Sequence, residues 1–151
     1  MRELIKKIID WEGDRGIFNR SNIENQKLNL IIEAGELCSA VINKDRNLIK
    51  KGIGGCIYYS VVLHSMSSYF NEHNIGGVGF SKISLRGFRF DACDFSEALS
   101  CATFEYLSPI RRFKHLFGIL YGLAVSHGLS LEECVKYRCE LFDNNKCGVV
   151  S

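Results

Sequence analysis

Apolar residues recur every three or four positions along most of the chain, and this spacing predicts amphipathic α-helices. A first helix is predicted to end near Gly13 or Gly16, because glycine favours the position just after a helix. Its apolar face is formed by Leu4, Ile5, Ile8 and Ile9. Charged residues lie between them, so the opposite side of this helix is predicted to face solvent.

A second helix is predicted from about Ile23 to Ile42, and its apolar residues cover much more than one stripe. They are Leu28, Leu30, Ile31, Ile32, Ala34, Leu37, Cys38 and Val41. A helix that is apolar around most of its circumference is usually buried on several sides. The sequence therefore predicts that this helix is the central one.

A third helix is predicted from Leu48 to about Tyr69, although glycines interrupt it at positions 52, 54 and 55. Each glycine inside a helix costs about 1 kcal/mol relative to alanine. The fold must therefore contain a feature that compensates for these glycines.

The second half of the chain contains an unusual segment followed by further helices. Glycines and phenylalanines alternate with aliphatic residues around 71–92, which predicts an insertion that forms a loop or a short hairpin. Ser108 and Pro109 suit the N-cap and first turn of a helix, and Ser130 and Glu133 suit a capping box. The helices predicted here cover about 94–106, 109–128 and 131–142.

These elements predict an all-α fold, a bundle of about five to six helices in one domain that spans residues 1–151. A chain of this length can bury roughly two thirds of the surface that it exposes when unfolded. It contains seven cysteines but no C-x-x-C pair. This odd set indicates reduced thiols packed as small apolar groups, rather than a disulfide framework or a zinc site.

Charge and hydropathy limit the classes of partner. A net charge of +2 gives no strong indication of a nucleic-acid-binding surface. The N-terminal segment is charged throughout, and no apolar run approaches the roughly 20 residues that span a bilayer. The sequence predicts a cytoplasmic protein that does not insert into a membrane.

A polar row runs along the otherwise apolar second helix. Its members are Gln26, Asn29, Glu33 and Glu36, at intervals of three, four and three residues. One interpretation is a solvated stripe on a partly exposed helix. The other is that Glu33 and Glu36 share a hard divalent cation such as Mg²⁺, which prefers oxygen ligands and keeps waters for a phosphate-bearing partner.

The order of these residues resembles that of phage-type MazG-like nucleotide pyrophosphohydrolases. The similar stretches are IDWEGDRGI at 9–17, Gln26, LIIEAGELCSA at 30–40 and HGLSLEECV at 127–135. The resemblance covers roughly 2–68 and 109–146. It implies a helical fold, assembly as a homodimer or homotetramer, and Mg²⁺-dependent cleavage of nucleoside triphosphates to a monophosphate and pyrophosphate. If phage-encoded, such a protein would act in the host cytoplasm.

The resemblance is incomplete at the metal site. The family carries an E-x-x-E pair on one helix and an E-x-x-D pair on the next, and these four acids bind the metals. Glu33 and Glu36 match the first pair and are the predicted catalytic and metal-binding residues. Gly52 and Gly55 stand where the second pair belongs, and Ile32 replaces a further acid. Asn29 stands where the family often has Lys.

The predicted nucleotide-binding residues are Trp11, Arg15, Gln26, Asn29 and Lys51. Trp11 suits stacking on a base, although a lone tryptophan on an apolar helix also suits a core. Phosphate could pair with basic side chains, which equally suit a solvent-exposed role. These are Lys51, Arg111, Arg112 and Lys114.

Asp94 and Glu97 form another acid pair at i and i+3, which either replaces the missing acids or serves the start of a helix. Three hypotheses follow for the protein as a whole. The first is a MazG-like protein that binds or sequesters nucleotides or nucleotide signals, with weakened or lost hydrolysis. The second is an active Mg²⁺-dependent pyrophosphohydrolase, and the third is a non-catalytic, oligomeric interaction protein.

Overall fold

Six α-helices form the part of the chain described by the computed structural model, which covers residues 1–15, 23–66, 88–103 and 109–147. They are α1 (Arg2–Asp14), α2 (Ile23–Ile42), α3 (Arg46–Ser65), α4 (Ala92–Thr103), α5 (Pro109–Ser126) and α6 (Leu131–Cys147). No strand occurs within these ranges, so the prediction of an all-helical chain is confirmed for them. The loop or hairpin predicted for the insertion falls mainly on residues 71–87, which lie outside the described residues.

The starts of α3 and α6 follow the local signals in the sequence. The side chain of Asp45 accepts hydrogen bonds from the backbone N–H groups of Asn47 and Leu48, both at 3.0 Å, and starts α3. The predicted capping box is present at α6, where the Glu133 N–H donates to Ser130 Oγ at 3.1 Å and the Ser130 N–H donates to the Glu133 carboxylate at 3.0 Å.

The predicted end of α6 is wrong, because the helix continues past residue 142 to Cys147. Asn144 and Asn145, which follow the predicted end, lie inside the helix. Asparagine lowers helix propensity by only a fraction of a kilocalorie per residue, which does not stop a helix that is already formed.

The central helix is α3, which packs against α1, α2, α5 and α6. Nearly every residue from Gly52 to His64 is buried. By contrast, α2 buries one face, which includes Leu30, Ala34 and Leu37. The expectation that α2 is central and buried on several sides is therefore wrong for the described chain. The helix α3 is central instead, because its glycines let neighbouring helices pack closely against it.

These glycines allow two helices to approach α3 closely. A Cβ atom on Gly52 would lie 2.9 Å from the Cβ of Leu37 on α2, and one on Gly54 would overlap the backbone carbonyl of Cys134 on α6. The shorter separation between helix axes lets more atoms pack together, which offsets the propensity cost of glycine. This close packing is the compensating feature that the sequence called for.

Four cysteines lie in the hydrophobic core or pack against it, whereas Cys93 is exposed. The cysteines at positions 38, 56, 93, 101, 134 and 139 form no disulfide. Cys56 and Cys134 are fully buried in the core. Burial raises the pKa of Cys134 to about 11 and also raises that of Cys56, so both remain protonated thiols at neutral pH. None of the described helices has the length and apolar character needed to cross a membrane.

Candidate functional site: an acid row between two helices

The polar row of α2 lies at the edge of its contact with α3. Gln26 and Glu33 are buried, Asn29 is half-buried and Glu36 is exposed. The Asn29 amide donates to Gln26 Oε1 at 3.5 Å, so these two amides lie side by side. Because half of the row is buried, it is not simply a solvated stripe.

Glu33 is the most unusual member of the row. It is only 5% exposed, and its carboxyl group occupies the space where a side chain on Gly55 would begin. The Arg138 guanidinium, on α6, donates to Glu33 Oε1 and forms an ion pair with it. The adjacent glycines explain this meeting, since Gly55 makes room for Glu33 of α2 and Gly54 brings α6 close on the other side.

Burial dominates the electrostatics of this pair. Removal of the carboxylate from water raises the pKa of Glu33, while the positive charge of Arg138 acts in the opposite direction. Glu33 Oε2 and Arg138 Nε are both buried and have no hydrogen-bond partner among the described residues. The hydrogen-bonding capacity of the pair is therefore only partly satisfied. Keeping both groups ionised costs free energy, because they are removed from water.

Glu36 has a different environment one turn along the helix. It is exposed, and its carboxylate accepts a hydrogen bond from Lys51 Nζ, on α3, at 2.8 Å. Each acid of the predicted metal pair therefore has its own cationic partner, Arg138 for Glu33 and Lys51 for Glu36.

This donor set fits a divalent metal poorly. A Mg²⁺ ion shared by Glu33 and Glu36 would have to compete with Lys51 and Arg138 for the same carboxylates. Within the described ranges, no three His, Cys, Asp or Glu side chains cluster in a way that could hold a metal ion. Two carboxylates that are already neutralised offer one weak site at most.

An aromatic cluster connects the acid row to α1. The Trp11 ring centroid lies 5.8 Å from that of Phe142 on α6 and 6.2 Å from that of Tyr58 on α3. The guanidinium of Arg15 lies 4.9 Å from the Trp11 centroid, and that of Arg138 lies 4.5 Å from the Phe142 centroid. Two arginines thus flank the paired rings in cation–π geometry, and one of them also pairs with Glu33.

A second buried acid belongs to this cluster. Glu12, on α1, is 2% exposed and accepts a hydrogen bond from the Tyr58 hydroxyl. It also accepts one from the Arg15 guanidinium at 3.3 Å. The neighbouring Tyr59 interacts with Arg138, and burial raises the pKa of the Tyr59 hydroxyl.

The structure brings together most of the predicted site. Glu33, Glu36 and Lys51 lie at one contact between α2 and α3, and Gln26 and Asn29 continue the row. The other predicted residues, Trp11 and Arg15, lie in the aromatic cluster, which is joined to Glu33 through Phe142 and Arg138.

Other candidates lie elsewhere. Asp94 pairs with His115 Nε2 on α5 at 2.7 Å, and both Asp94 and Glu97 are exposed on α4. Asp94 is therefore not directed toward the acid row. Lys114 is exposed, and the side chains of Arg111 and Arg112 lie outside the described part of the chain.

Sequence reasoning missed Arg138, Phe142, Glu12 and Tyr58 as members of the site. Two spacings could have indicated them, the i, i+4 pair Arg138 and Phe142 and the i, i+3 pair Glu12 and Arg15. Neither spacing reveals that α1 and α6 meet beside α3, which is a tertiary contact.

Comparison with known proteins gives one partial match. A stretch of 63 residues is 38% identical to a protein of Haemophilus phage HP1 (strain HP1c1) described as "Uncharacterized 18.2 kDa protein in rep-hol intergenic region". The match spans 42% of this chain and 39% of the phage protein. No protein-family model and no solved structure matches the chain. The comparison therefore links the chain to a phage protein without indicating an activity.

Proposed function

We propose that this protein has a MazG-like fold and binds nucleotides or nucleotide-derived signals, with weakened or lost pyrophosphohydrolase activity. One observation carries the proposal. The carboxylate of Glu33 fills the position that a side chain on Gly55 would take, and it is neutralised by Arg138. The acid that the resemblance assigns to metal binding is thus engaged in an ion pair inside the protein.

The charge balance supports binding more than hydrolysis. Cleavage of a triphosphate with metal requires ions that neutralise the developing charge and activate a water molecule. Two acids that already pair with Lys51 and Arg138 hold Mg²⁺ weakly. The same cations reduce repulsion between the row and the phosphates, so binding is expected to depend less on metal than in an enzyme with four acids.

In this proposal the phosphates lie near Lys51, and the base lies near the Trp11 ring. Arg15 stands over that ring, and Gln26 and Asn29 offer amide groups along α2. Aromatic faces and amide groups are common elements of nucleotide pockets.

Calorimetry with a panel of nucleotides, with and without Mg²⁺ or Mn²⁺, tests the proposal. We expect micromolar or tighter binding of at least one nucleotide, little change on metal removal, and no pyrophosphate release. The chain has a single tryptophan, so its fluorescence gives an independent binding signal from position 11. Metal-dependent pyrophosphate release that is lost in Glu36→Ala would instead establish an active enzyme.

A matched pair of lysine variants tests the position of the phosphates. Lys51→Met removes the cation beside Glu36, whereas Lys50→Met removes a lysine whose Nζ lies 5.2 Å from the Tyr137 ring on α6. We expect Lys51→Met to weaken nucleotide binding roughly tenfold and Lys50→Met to change it less than about twofold. Equal effects would contradict the proposed position.

Restoration of an acid tests the lost metal site. Gly55→Asp expels the Glu33 carboxylate from its present position and adds an acid between α2 and α3. We expect Mg²⁺ to bind more tightly to this variant than to the wild type. Gly52→Glu is a poorer test, since its Cβ would press on Leu37. Unchanged Mg²⁺ affinity in a folded Gly55→Asp variant would show that position 55 is not part of a former metal site.

A further inference from the structure

A narrow crevice lies between α1 and α6. It is lined by Lys7, Ile8 and Trp11 of α1 and by Cys139 and Asp143 of α6. Both helices pack more extensively against α3 than against each other, which leaves this crevice between them. Its walls are mostly apolar, and Lys7 and Asp143 are the two charged residues that border it.

Lys7 and Asp143 carry opposite charges but do not pair. Both are exposed, and within the described chain neither takes part in an ion pair or a side-chain hydrogen bond. Both act on the thiol of Cys139, whose pKa is raised mainly by burial, since Lys7 opposes this shift and Asp143 adds to it. The two charges therefore lie near the same crevice and are available to a ligand.

The register of the two helices explains why these charges stay apart. α1 and α6 run side by side in the same direction, because the Met1 amine pairs with Glu132 at 3.5 Å and the Trp11 ring packs on that of Phe142. The charge on α1 therefore lies about five residues before the level of the charge on α6, or roughly 8 Å along the helices. The crevice thus has a cation toward one end and a carboxylate toward the other.

We propose that this crevice binds the edge of a guanine base, so that guanine nucleotides are the preferred ligands of this protein. The inference rests on the proposed nucleotide binding and names the base that lies near Trp11. The Asp143 carboxylate accepts hydrogen bonds from the N1–H and N2–H groups of guanine, and the Lys7 ammonium donates to O6. These three groups follow one another along a single edge of the base. Two adjacent N–H donors occupy both oxygens of one carboxylate.

The other bases match this pair of charges less well. Adenine has an amino group where guanine has O6, and this donor would face the Lys7 ammonium. If adenine is turned over, its amino group faces Asp143 and its N1 faces Lys7, but these two groups are neighbours whereas the charges lie roughly 8 Å apart along the helices. Cytosine and uracil likewise offer a single donor group on this edge. A site that hydrogen-bonds a donor rejects an analogue that lacks it.

Calorimetry with the four common nucleoside triphosphates, in the absence of metal, tests the base preference. We expect GTP to bind at least roughly tenfold more tightly than ATP, CTP or UTP. Inosine triphosphate, which lacks only the 2-amino group of GTP, should have an affinity between those of GTP and ATP. Without metal, hydrolysis does not obscure the binding.

Asp143→Asn tests the carboxylate directly. The amide donates where the carboxylate accepts, so the affinity for GTP should fall roughly tenfold. Xanthosine triphosphate has a carbonyl oxygen in place of the 2-amino group, and it should bind more tightly to this variant than to the wild type. A misfolded variant would not show such a gain. Asp10→Asn, at an exposed acid outside the crevice lining, is the matched control and should leave both affinities within about twofold.

Lys7→Met tests the other end of the crevice. It removes the donor to O6 and should weaken GTP binding roughly tenfold while changing ATP binding less. Lys6→Met, at the exposed neighbouring position outside the crevice lining, is the matched control and should change GTP binding less than about twofold.

The outcomes separate this inference from the proposed function. Nucleotide binding without a preference for guanine, or equal effects of Asp143→Asn and Asp10→Asn, would overturn the guanine site and leave the proposed function in place. If no nucleotide binds the wild type, both are overturned. Selective GTP binding, with a shift of preference toward xanthosine triphosphate in Asp143→Asn, would support both.

Discussion

Gly54 and Gly35 both lie well inside long helices, but their surroundings are opposite. At Gly54, on α3, the backbone of α6 leaves no room for a Cβ atom. At Gly35, on α2, no described atom other than those of the adjacent residues and the helix's own backbone lies within 4 Å of that position. A glycine inside a helix of this chain therefore does not by itself indicate a close neighbour among the described residues.

The largest expected effect is that of Gly54→Ala. Its methyl group would overlap the carbonyl of Cys134, which is backbone and has little freedom to move. We expect the free energy of unfolding to fall by at least about 3 kcal/mol, at the upper end of overpacking effects. Urea unfolding followed by circular dichroism measures this change. A cost as small as that of an exposed substitution would show that α3 and α6 are not in close contact.

Arg138→Met tests whether the ion pair that forms beside Gly54 stabilises the fold. The variant leaves Glu33 buried without a cation, and we expect a loss of about 3 kcal/mol in unfolding free energy. The double variant Glu33→Met with Arg138→Met removes both charges and should recover most of this loss. If the two single effects simply add, the ion pair does not stabilise the packing.

Gly55→Ala should cost less than Gly54→Ala, although the two glycines are neighbours. The added methyl would overlap the end of the Glu33 side chain, which can rotate away, rather than backbone. We expect a loss of about 1–2 kcal/mol. In a Glu33→Ala background the same substitution should cost less, because the obstructing atoms are gone. A double-mutant cycle of unfolding free energies measures this coupling.

The pH dependence of stability tests the burial of Glu33. Burial raises the pKa of Glu33 in the folded state, so the folded chain holds this proton more tightly than the unfolded chain. Stability should therefore fall as pH rises from the ordinary range of a carboxyl group through the raised pKa, and each tenfold difference in proton affinity contributes about 1.4 kcal/mol. Glu33→Gln should lose this component, whereas Glu36→Gln, at an exposed position, should retain it. Identical pH profiles of unfolding free energy for the two variants would contradict the assignment of this pH dependence to Glu33.

The smallest effect is expected at Gly35, and it has the opposite sign. Gly35→Ala meets no neighbour among the described residues of other helices and should stabilise the chain by about 0.5–1 kcal/mol. Thermal unfolding at low concentration measures this gain. Destabilisation would mean that another part of this chain or a bound partner covers Gly35.

The local signals in the sequence predicted much of the fold. The bounds of α2 agree with the prediction at both ends, and the capping box at Ser130 and Glu133 forms as expected. These features depend on residues within one or two turns of each other, so the sequence contains the whole interaction. The central role given to α2 was wrong because apolar composition does not reveal which neighbour covers each face.

The candidate site was predictable in part. Spacing placed Gln26, Asn29, Glu33 and Glu36 in one row, and the structure keeps them there. The spacing did not indicate that the Glu33 side chain turns toward α3 whereas that of Glu36 faces Lys51. The difference arises because Gly55 leaves a space that only one of the two acids can reach.

The sequence by itself determined the six described helices, the acid row and the absence of side chains at positions 52, 54 and 55. Only the tertiary structure decided how those absences are used: Gly54 and Gly55 let α6 and α2 close on α3, and Arg138 and Glu33 meet there. The physical reason is the separation along the chain of the residues that interact. Helix formation and side-chain spacing depend on neighbours in the chain, whereas burial and charge pairing depend on residues as far apart as 33 and 138.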